Sequence, residues 1–366
     1  MFLLKLNDAL GRNRLHQHFS RSYESARQHF LKLCSETDAS IEHLKHPKLG
    51  PDGELFTDIA IWGDRTCQHL VVISSATHGI EGYTGSGLQS LLLAEGLSRR
   101  LPNGTSLMMI HAVNPFGFAW QRRVNESNID LNRNFIDHNR PPQNKPYIEI
   151  AKLLEPETWD ETIEADIQKQ FTELSQVNGA RWLQGAMTKG QYTHPNGFFY
   201  GGAAPAWSNE LMHSLGQQYL NSAEKVSLID IHTALGDFGA AECITTYPLN
   251  SDEYQRSKSI WGDQIKSTDS GESLSVDVHG PMVNAMQQYS DFLAIGLEFG
   301  TTTIAEVTMA LIADQWLHNH GSLDMQAGHP IKERMMEAFY PDSVPWRESI
   351  AEITRGIIEQ TLTREK

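Results

Sequence analysis

Cysteine is scarce in this chain. Its 366 residues hold three, Cys34, Cys67 and Cys243, far apart and without a C-x-x-C pair. That argues against a disulfide framework and against a cysteine-rich zinc site. Positive charge is short as well: 30 Lys+Arg face 45 Asp+Glu, a formal net charge of −15. So acidic a chain repels nucleic acid and anionic lipid at long range, although it can still hold a local basic pocket. No apolar stretch approaches the roughly 18 residues of a membrane span. The opening run MFLLKLNDALGRNR ends too soon for a signal-peptide core. Internal repeats, low-complexity tracts and long charge blocks are missing. So is a G-x-S-x-G elbow: only the GYTGSG turn around Ser86 comes near it, which argues against a serine α/β-hydrolase. The expectation is a soluble, cytoplasmic protein that binds neither nucleic acid nor membrane, of unspecified oligomeric state.

With 40% hydrophobic and 20% charged residues, the composition is that of a globular protein. The length suggests two or three domains, but α/β folds often run longer as one unit, and residues 1–366 read as a single domain. Phe19 to Glu36 has helical spacing of Tyr23, Ala26, Phe30, Leu31 and Cys34, and residues 1–50 read as a helical extension closed by the turn HPKLGPDGE. Five short apolar runs follow: Leu55–Trp62, His69–Ser75, Ser106–Val113, Val226–Ile231 and Phe292–Phe299. They read as strands, and their near-continuous apolarity predicts a sheet covered on both faces. Helical patterns lie between them, at Gly85–Leu97 and Thr303–Trp316, so the fold class is an α/β sandwich. No clear strand occurs from Pro141 to Lys225; residues 136–225 read as a long insertion, either the wall of a cleft or a peripheral decoration.

Four clusters fall at the ends of these strands, where ligands of α/β folds collect because the side chains converge there. The first is Thr77-His78-Gly79-Ile80-Glu81-Gly82. A His and a Glu three apart on a tight turn can offer one nitrogen and one carboxylate to a single cation. Equally, Glu81 can serve a helix N-terminus and His78 can be a satisfied loop residue. Sixteen histidines yield about one such pair by chance. The second runs from Asn114-Pro115-Phe116-Gly117 through Arg122-Arg123 to Asp130-Leu131-Asn132-Arg133-Asn134-Phe135. Its guanidiniums suit a carboxylate or an oxyanion, or simply pair with surface acids. The third is Asp230-Ile231-His232-Thr233, whose His can complete a two-His, one-carboxylate set or be structural. The fourth, Gly296-Leu297-Glu298-Phe299-Gly300, sets a carboxylate in an apolar strand. Burial there raises its pKa toward neutrality, which suits a general base; a basic partner would cancel the effect. The H-N-H at His318–His320 and the H-Q-H at His16–His18 read as chance and as surface, respectively.

Taken in order, these clusters resemble the zinc carboxypeptidase superfamily. It includes carboxypeptidase A-like and cytosolic carboxypeptidase-like metallopeptidases, and deacylases such as succinylglutamate desuccinylase and aspartoacylase. The likeness runs from about Leu55 to Trp316, with DLNRNF its most specific piece, and points to a bacterial branch. It implies a three-layer α/β sandwich around a mixed, mostly parallel sheet (phosphorylase/hydrolase-like), with one Zn2+ expected and the count of one or two left open. It further implies that His78, Glu81 and His232 hold the zinc and that Asp130 orients the first ligand histidine. Glu298 is then the general acid/base. Arg123 stabilises the oxyanion, with Arg122 as its rival. Asn132 and Arg133 grip a substrate carboxylate. The implied activity is hydrolysis of an amide next to a free carboxylate, on a peptide C-terminus (metallocarboxypeptidase) or on an N-acyl amino acid (deacylase). A metal-binding relative without turnover is a further alternative. The superfamily's peptidases carry a mobile Tyr between the last His and the Glu. Tyr247, Tyr254 and Tyr289 are candidates here, and none has a motif around it.

Overall fold

A computed structural model describes residues 15–322 and 328–363; the apolar run at 1–14 lies outside the described residues. Eight strands form one sheet: β1 (Ser40–Gly50), β2 (Gly53–Trp62), β3 (His69–Ser74), β4 (Thr105–His111), β5 (Lys225–Phe238), β6 (Ala241–Thr245), β7 (Ile265–Ser267) and β8 (Asp291–Gly300). Their spatial order is β1-β2-β4-β3-β5-β8-β6-β7. The centre, β4-β3-β5-β8, is parallel. On its flanks β2 joins β4, and β6 joins β8, in antiparallel fashion.

Alternation along the central strands splits the core in two. Val71, Ile73, Ile229, Ile231 and Ile295 face one helical layer, while Leu70, Val72, Val226, Leu228 and Ala294 face the other. The result is the expected three-layer sandwich. Each such aliphatic side chain contributes roughly 1.5–3 kcal/mol by leaving water. A slip of one residue would swap the faces of a whole strand, so burial fixes the register firmly. Asp230 and His232 follow Val226 and Leu228 on one face of β5. On β8, Gly296 and Glu298 lie beside them in register.

The five expected strands are all present. Three more were not expected. Residues 1–50 are helical at Tyr23–Ser35, but Ser40–Gly50 is a strand, not part of a helical extension. Its sequence, SIEHLKHPKLG, is largely exposed because β1 is an edge strand with one solvated face and no apolar alternation to read. Pro47, which cannot donate to a ladder, falls where the register shifts between Lys45 and Leu49. The short β6 and β7 lie toward the opposite edge. His18 also departs from expectation: it is buried, its Nδ1 2.9 Å from His29 Nε2. Within 136–225, up to Lys225 where β5 begins, there is no strand beyond an isolated bridge between Gln191 and Tyr200. The segment folds into helices at Lys145–Leu154, Glu161–Asn178, Ala180–Thr188 and Trp207–Gln218. Among the described residues no helix is long and apolar enough to cross a membrane.

Candidate metal centre and its cavity

Beyond β3, Ala76 takes a left-handed backbone (φ 59°), a conformation a non-glycine residue holds only when its surroundings demand it. The chain then turns through His78 into a short 3-10 turn, Gly79–Glu81, leading into the helix Gly82–Ala94. This loop is pinned from outside. Gly79 N donates to Arg123 O at 3.1 Å and Ile80 N to Arg122 O at 2.8 Å. Asn114 Oδ1 accepts from Gly117 N at 2.9 Å and caps the short helix Pro115–Ala119, bringing Gly117 against the loop. A Cβ on Gly79 would sit 2.0 Å from Gly117 C, so only glycine fits.

The structure brings the three proposed ligands together. Donor atoms of His78, Glu81 and His232 all lie within 4.8 Å of one another, and all three residues are buried. Each histidine turns Nδ1 to a different oxygen of Glu81: His78 at 3.0 Å from Oε1, His232 at 2.9 Å from Oε2. Their Nε2 atoms point away, to two more carboxylates. His78 Nε2 is 3.3 Å from Asp130 Oδ1; His232 Nε2 is 2.7 Å from Asp230 Oδ2. An acid that holds the proton on Nε2 leaves Nδ1 bare and aimed at the centre, which is how ligand imidazoles are oriented.

Charge supports the same occupant. Glu81, Asp130, Asp230 and Glu298 are all buried, and Arg123 and Arg133 are the guanidiniums among them. With neutral histidines and all four acids ionised, two negative charges lack a counter-charge, at the cost that buried unpaired charge carries. A divalent cation would supply what is missing. In its absence protons serve instead. The Asp230 and Glu81 carboxylates outweigh burial and hold the His232 imidazole well above its usual pKa. The two histidines hold Glu81, and Arg123 with Arg133 hold Asp130, below the ordinary carboxylate range against the upward push of burial. The residues present therefore fit a divalent metal.

Glu298 sits beside His232 across the β5–β8 pair. Its Oε1 accepts from Leu235 N at 2.9 Å. Burial first, and Glu81 second, push its carboxyl up to about 7. A cation at the centre would draw it back down. Either way the side chain faces a cavity of about 560 Å³ that His78, His232, Arg123, Asn132 and Arg133 also line.

The predicted arginines and Asn132 divide. Arg123 reaches Asp130 Oδ2 through Nε at 3.0 Å and Glu81 Oε1 through Nη1 at 3.3 Å. Its Nη2 lies 2.9 Å from His78 Nε2, so Asp130 and Arg123 compete for one ring nitrogen. Arg133 donates from Nε to Thr188 O and from Nη1 to Asn132 O, each at 2.8 Å. Among the described residues its Nη2 has no hydrogen-bond partner. Burial draws this guanidinium down to about 10. Asn132 Oδ1 accepts from Met282 N at 3.0 Å, and its Nδ2 lies 3.5 Å from His232 Nε2.

Arg122 does not join them. It is buried with Nε 3.3 Å from Asp314 Oδ2 and Nη2 3.3 Å from Asn128 Oδ1, and it does not line the cavity. Of the two neighbours, only Arg123 lines the cavity. No tyrosine among the described residues lines the cavity. Tyr247 OH is buried against Phe292 O, Tyr289 OH pairs with His213, and Tyr254 packs against the core.

Asp230 is the residue that reading the sequence overlooked as an orienting acid. The signal was there: D-x-H on a strand places both side chains on one face. Ser74 Oγ (2.7 Å) and Thr77 Oγ1 (2.8 Å) both donate to its Oδ1.

Comparison with known proteins places a family model, described as "Protein of unknown function (DUF2817)", on residues 19–352. No curated protein matches the chain. Among solved structures, carboxypeptidase A from Helicoverpa armigera is similar at 12% identity and a TM-score of 0.47, covering 88% of this chain and 75% of that one. Thrombin activatable fibrinolysis inhibitor is similar at 11% and 0.49, covering 93% and 74%. A succinylglutamate desuccinylase from a Silicibacter species is similar at 12% and 0.38, covering 77% and 68%.

Proposed function

Starting from a chain that belongs to the DUF2817 family through residues 19–352, we propose that it is a zinc-dependent hydrolase of amides that adjoin a free carboxylate, and specifically a metallocarboxypeptidase. The observation that carries this reading is the pair of histidines whose Nδ1 atoms converge on Glu81 while buried acids take their Nε2 atoms. Two imidazoles and a carboxylate are the donor set of a catalytic rather than a structural zinc, because a fourth position is left to water. Bound by His78, Glu81 and His232, the zinc would supply Lewis acidity and bring the pKa of water toward roughly 7.

The protein's own groups do the rest. Glu298 takes a proton from the attacking water and passes it to the departing amine. Arg123, turning from His78 toward the cavity, holds the oxyanion, a donor of the kind worth roughly 3–4 kcal/mol. The open Nη2 of Arg133 binds the substrate carboxylate, and Asn132 steadies it. A carboxylate anchor selects a terminal over an internal amide.

The test is Glu298→Gln, which should keep zinc at one equivalent by elemental analysis and lower kcat by roughly 10²–10⁴-fold. Near-normal hydrolysis by that variant would remove Glu298 from its role. Deacylation of N-acyl amino acids on the same site is the second reading. It is favoured by the lack of a cavity-lining tyrosine among the described residues. Rates on free peptides, C-terminally blocked peptides and acyl amino acids separate the two.

A further inference from the structure

The cavity extends well past the groups that would handle one amide and one carboxylate. Its volume of about 560 Å³ lies within the roughly 300–1,000 Å³ of small-ligand sites. Polar chemistry gathers at the metal end. The remaining walls are largely apolar despite Gln184, Thr246 and Thr308, and one aliphatic stretch of them is shared by two separate parts of the chain. The insertion contributes Leu183 and Met187 from its Ala180–Thr188 helix, and Phe198 beyond it. The helix Ile304–His320 contributes Val307 and Leu311. These five residues are between 5% and 8% exposed, so they are packed closely while still lining the cavity.

Among the described residues, acidic groups are missing from this part of the wall. Among the described residues no Asp or Lys lines the cavity, and the one acid is Glu298. Beyond Arg123 and Arg133 the only further lining arginine is Arg181, which donates to Ser273 O at 2.8 Å and Ser275 O at 2.9 Å. A cationic substrate group carried between the two helices would lose water without gaining an acid to pair with. An apolar group would gain the free energy of leaving water.

We infer that the substrate carries, besides its carboxylate, an uncharged apolar group of leucine size or larger, seated between Leu183 and Met187 on one side and Val307 and Leu311 on the other. The inference rests on the hydrolase reading above and names its substrate class. An apolar side chain on the terminal residue and a longer acyl chain on its nitrogen offer the same chemistry.

Calorimetry on zinc-loaded Glu298→Gln protein tests this, because the ligands then stay largely intact. N-acetyl-alanine, N-acetyl-lysine, N-acetyl-leucine and N-octanoyl-alanine form the series. Either or both of the last two should bind roughly tenfold or more tightly than the first two, since each methylene in an apolar pocket is worth about that factor. Tighter N-acetyl-leucine assigns the group to the side chain, and tighter N-octanoyl-alanine to the acyl chain. Binding equal within threefold across the series, or none, overturns the inference. Introducing Met187→Lys should erase the preference with zinc content unchanged, and Met187→Leu should keep it. A preference that survives Met187→Lys in folded protein overturns the placement. Turnover by the wild type is read separately. Selective binding with no hydrolysis of any member would leave the apolar site standing and end the hydrolase reading.

Discussion

Replacing Asp230 by Asn tests how the centre is wired. The carboxylate is fully buried and its Oδ2 lies 2.7 Å from His232 Nε2. Asn keeps the volume and changes one atom's sign. If the new amide nitrogen faces His232, that ring must accept at Nε2 and so carry its proton on Nδ1. Nδ1 is the atom 2.9 Å from Glu81 Oε2, which a cation needs bare. If the amide instead turns its oxygen to His232, its N–H groups meet the hydroxyls of Ser74 and Thr77, which now donate to Asp230 Oδ1 and would have to rotate. That arrangement keeps the tautomer but loses the charge behind it. Acids of this kind are worth roughly 10–100-fold in metal affinity, or about 1.4–2.8 kcal/mol. Zinc binding would be measured by competition with a chromophoric chelator near pH 7.5. The same loss should appear in stability, because zinc stabilises the folded state in proportion to the logarithm of its concentration over Kd. At saturating zinc the metal-dependent stabilisation of Asp230→Asn should shrink by that amount. The metal-free variant should unfold earlier than metal-free wild type, because it loses the buried pair that Asp230 makes with the protonated His232. Zinc affinity within twofold of wild type would refute the assignment of Nδ1 as the ligand atom of His232.

Other expectations follow from single contacts. Gly79→Ala must push back the Gly117 backbone, 2.0 Å from the new Cβ. It should lower the thermal midpoint and weaken zinc together, by an overpacking cost of about 1–3 kcal/mol; an unchanged midpoint would deny the close approach. Arg133→Met should raise KM for free-carboxylate substrates and leave kcat nearly unchanged, the split expected for a binding group; equal effects on blocked substrates would count against it. Arg122→Met should act on stability, because it leaves Asp314 with less compensation; an effect on KM alone would restore Arg122 to the substrate. His111 is pushed down to about 4 by burial, and the unfolded imidazole titrates near 6.5. The unfolded chain therefore binds the extra proton first. The stability His111 permits is complete at pH 7 and falls between about 6.5 and 4, by about 3 kcal/mol at most. His111→Gln should flatten that part of the curve in urea melts, and an unaltered slope would refute the burial argument.

Much of the scaffold could be read from the chain. The five central strands announce themselves because they are buried on both faces and so are apolar throughout. The edges could not, because an exposed strand such as Ser40–Gly50 needs no apolar pattern. His78, Glu81, His232 and Glu298 were legible for a related reason. Each lies in or just after a recognisable apolar run, and such runs converge in the sheet. Arg123 was set ahead of Arg122 only by the family resemblance, since neighbours on a loop have the same composition around them. Only the bond between Arg122 and Asp314, 192 positions later, decides which one turns away.

What the chain settled by itself was local and periodic: which central segments are strands and which donor types lie at or just beyond them. What tertiary structure decided was long-range. It chose the nitrogen of each histidine that faces Glu81 and set Asp230 behind His232. It also brought Met187 into one cavity with Val307. The physical reason is that periodicity is written into neighbouring residues, whereas the partner of a buried polar atom is chosen by whatever else the fold buries beside it.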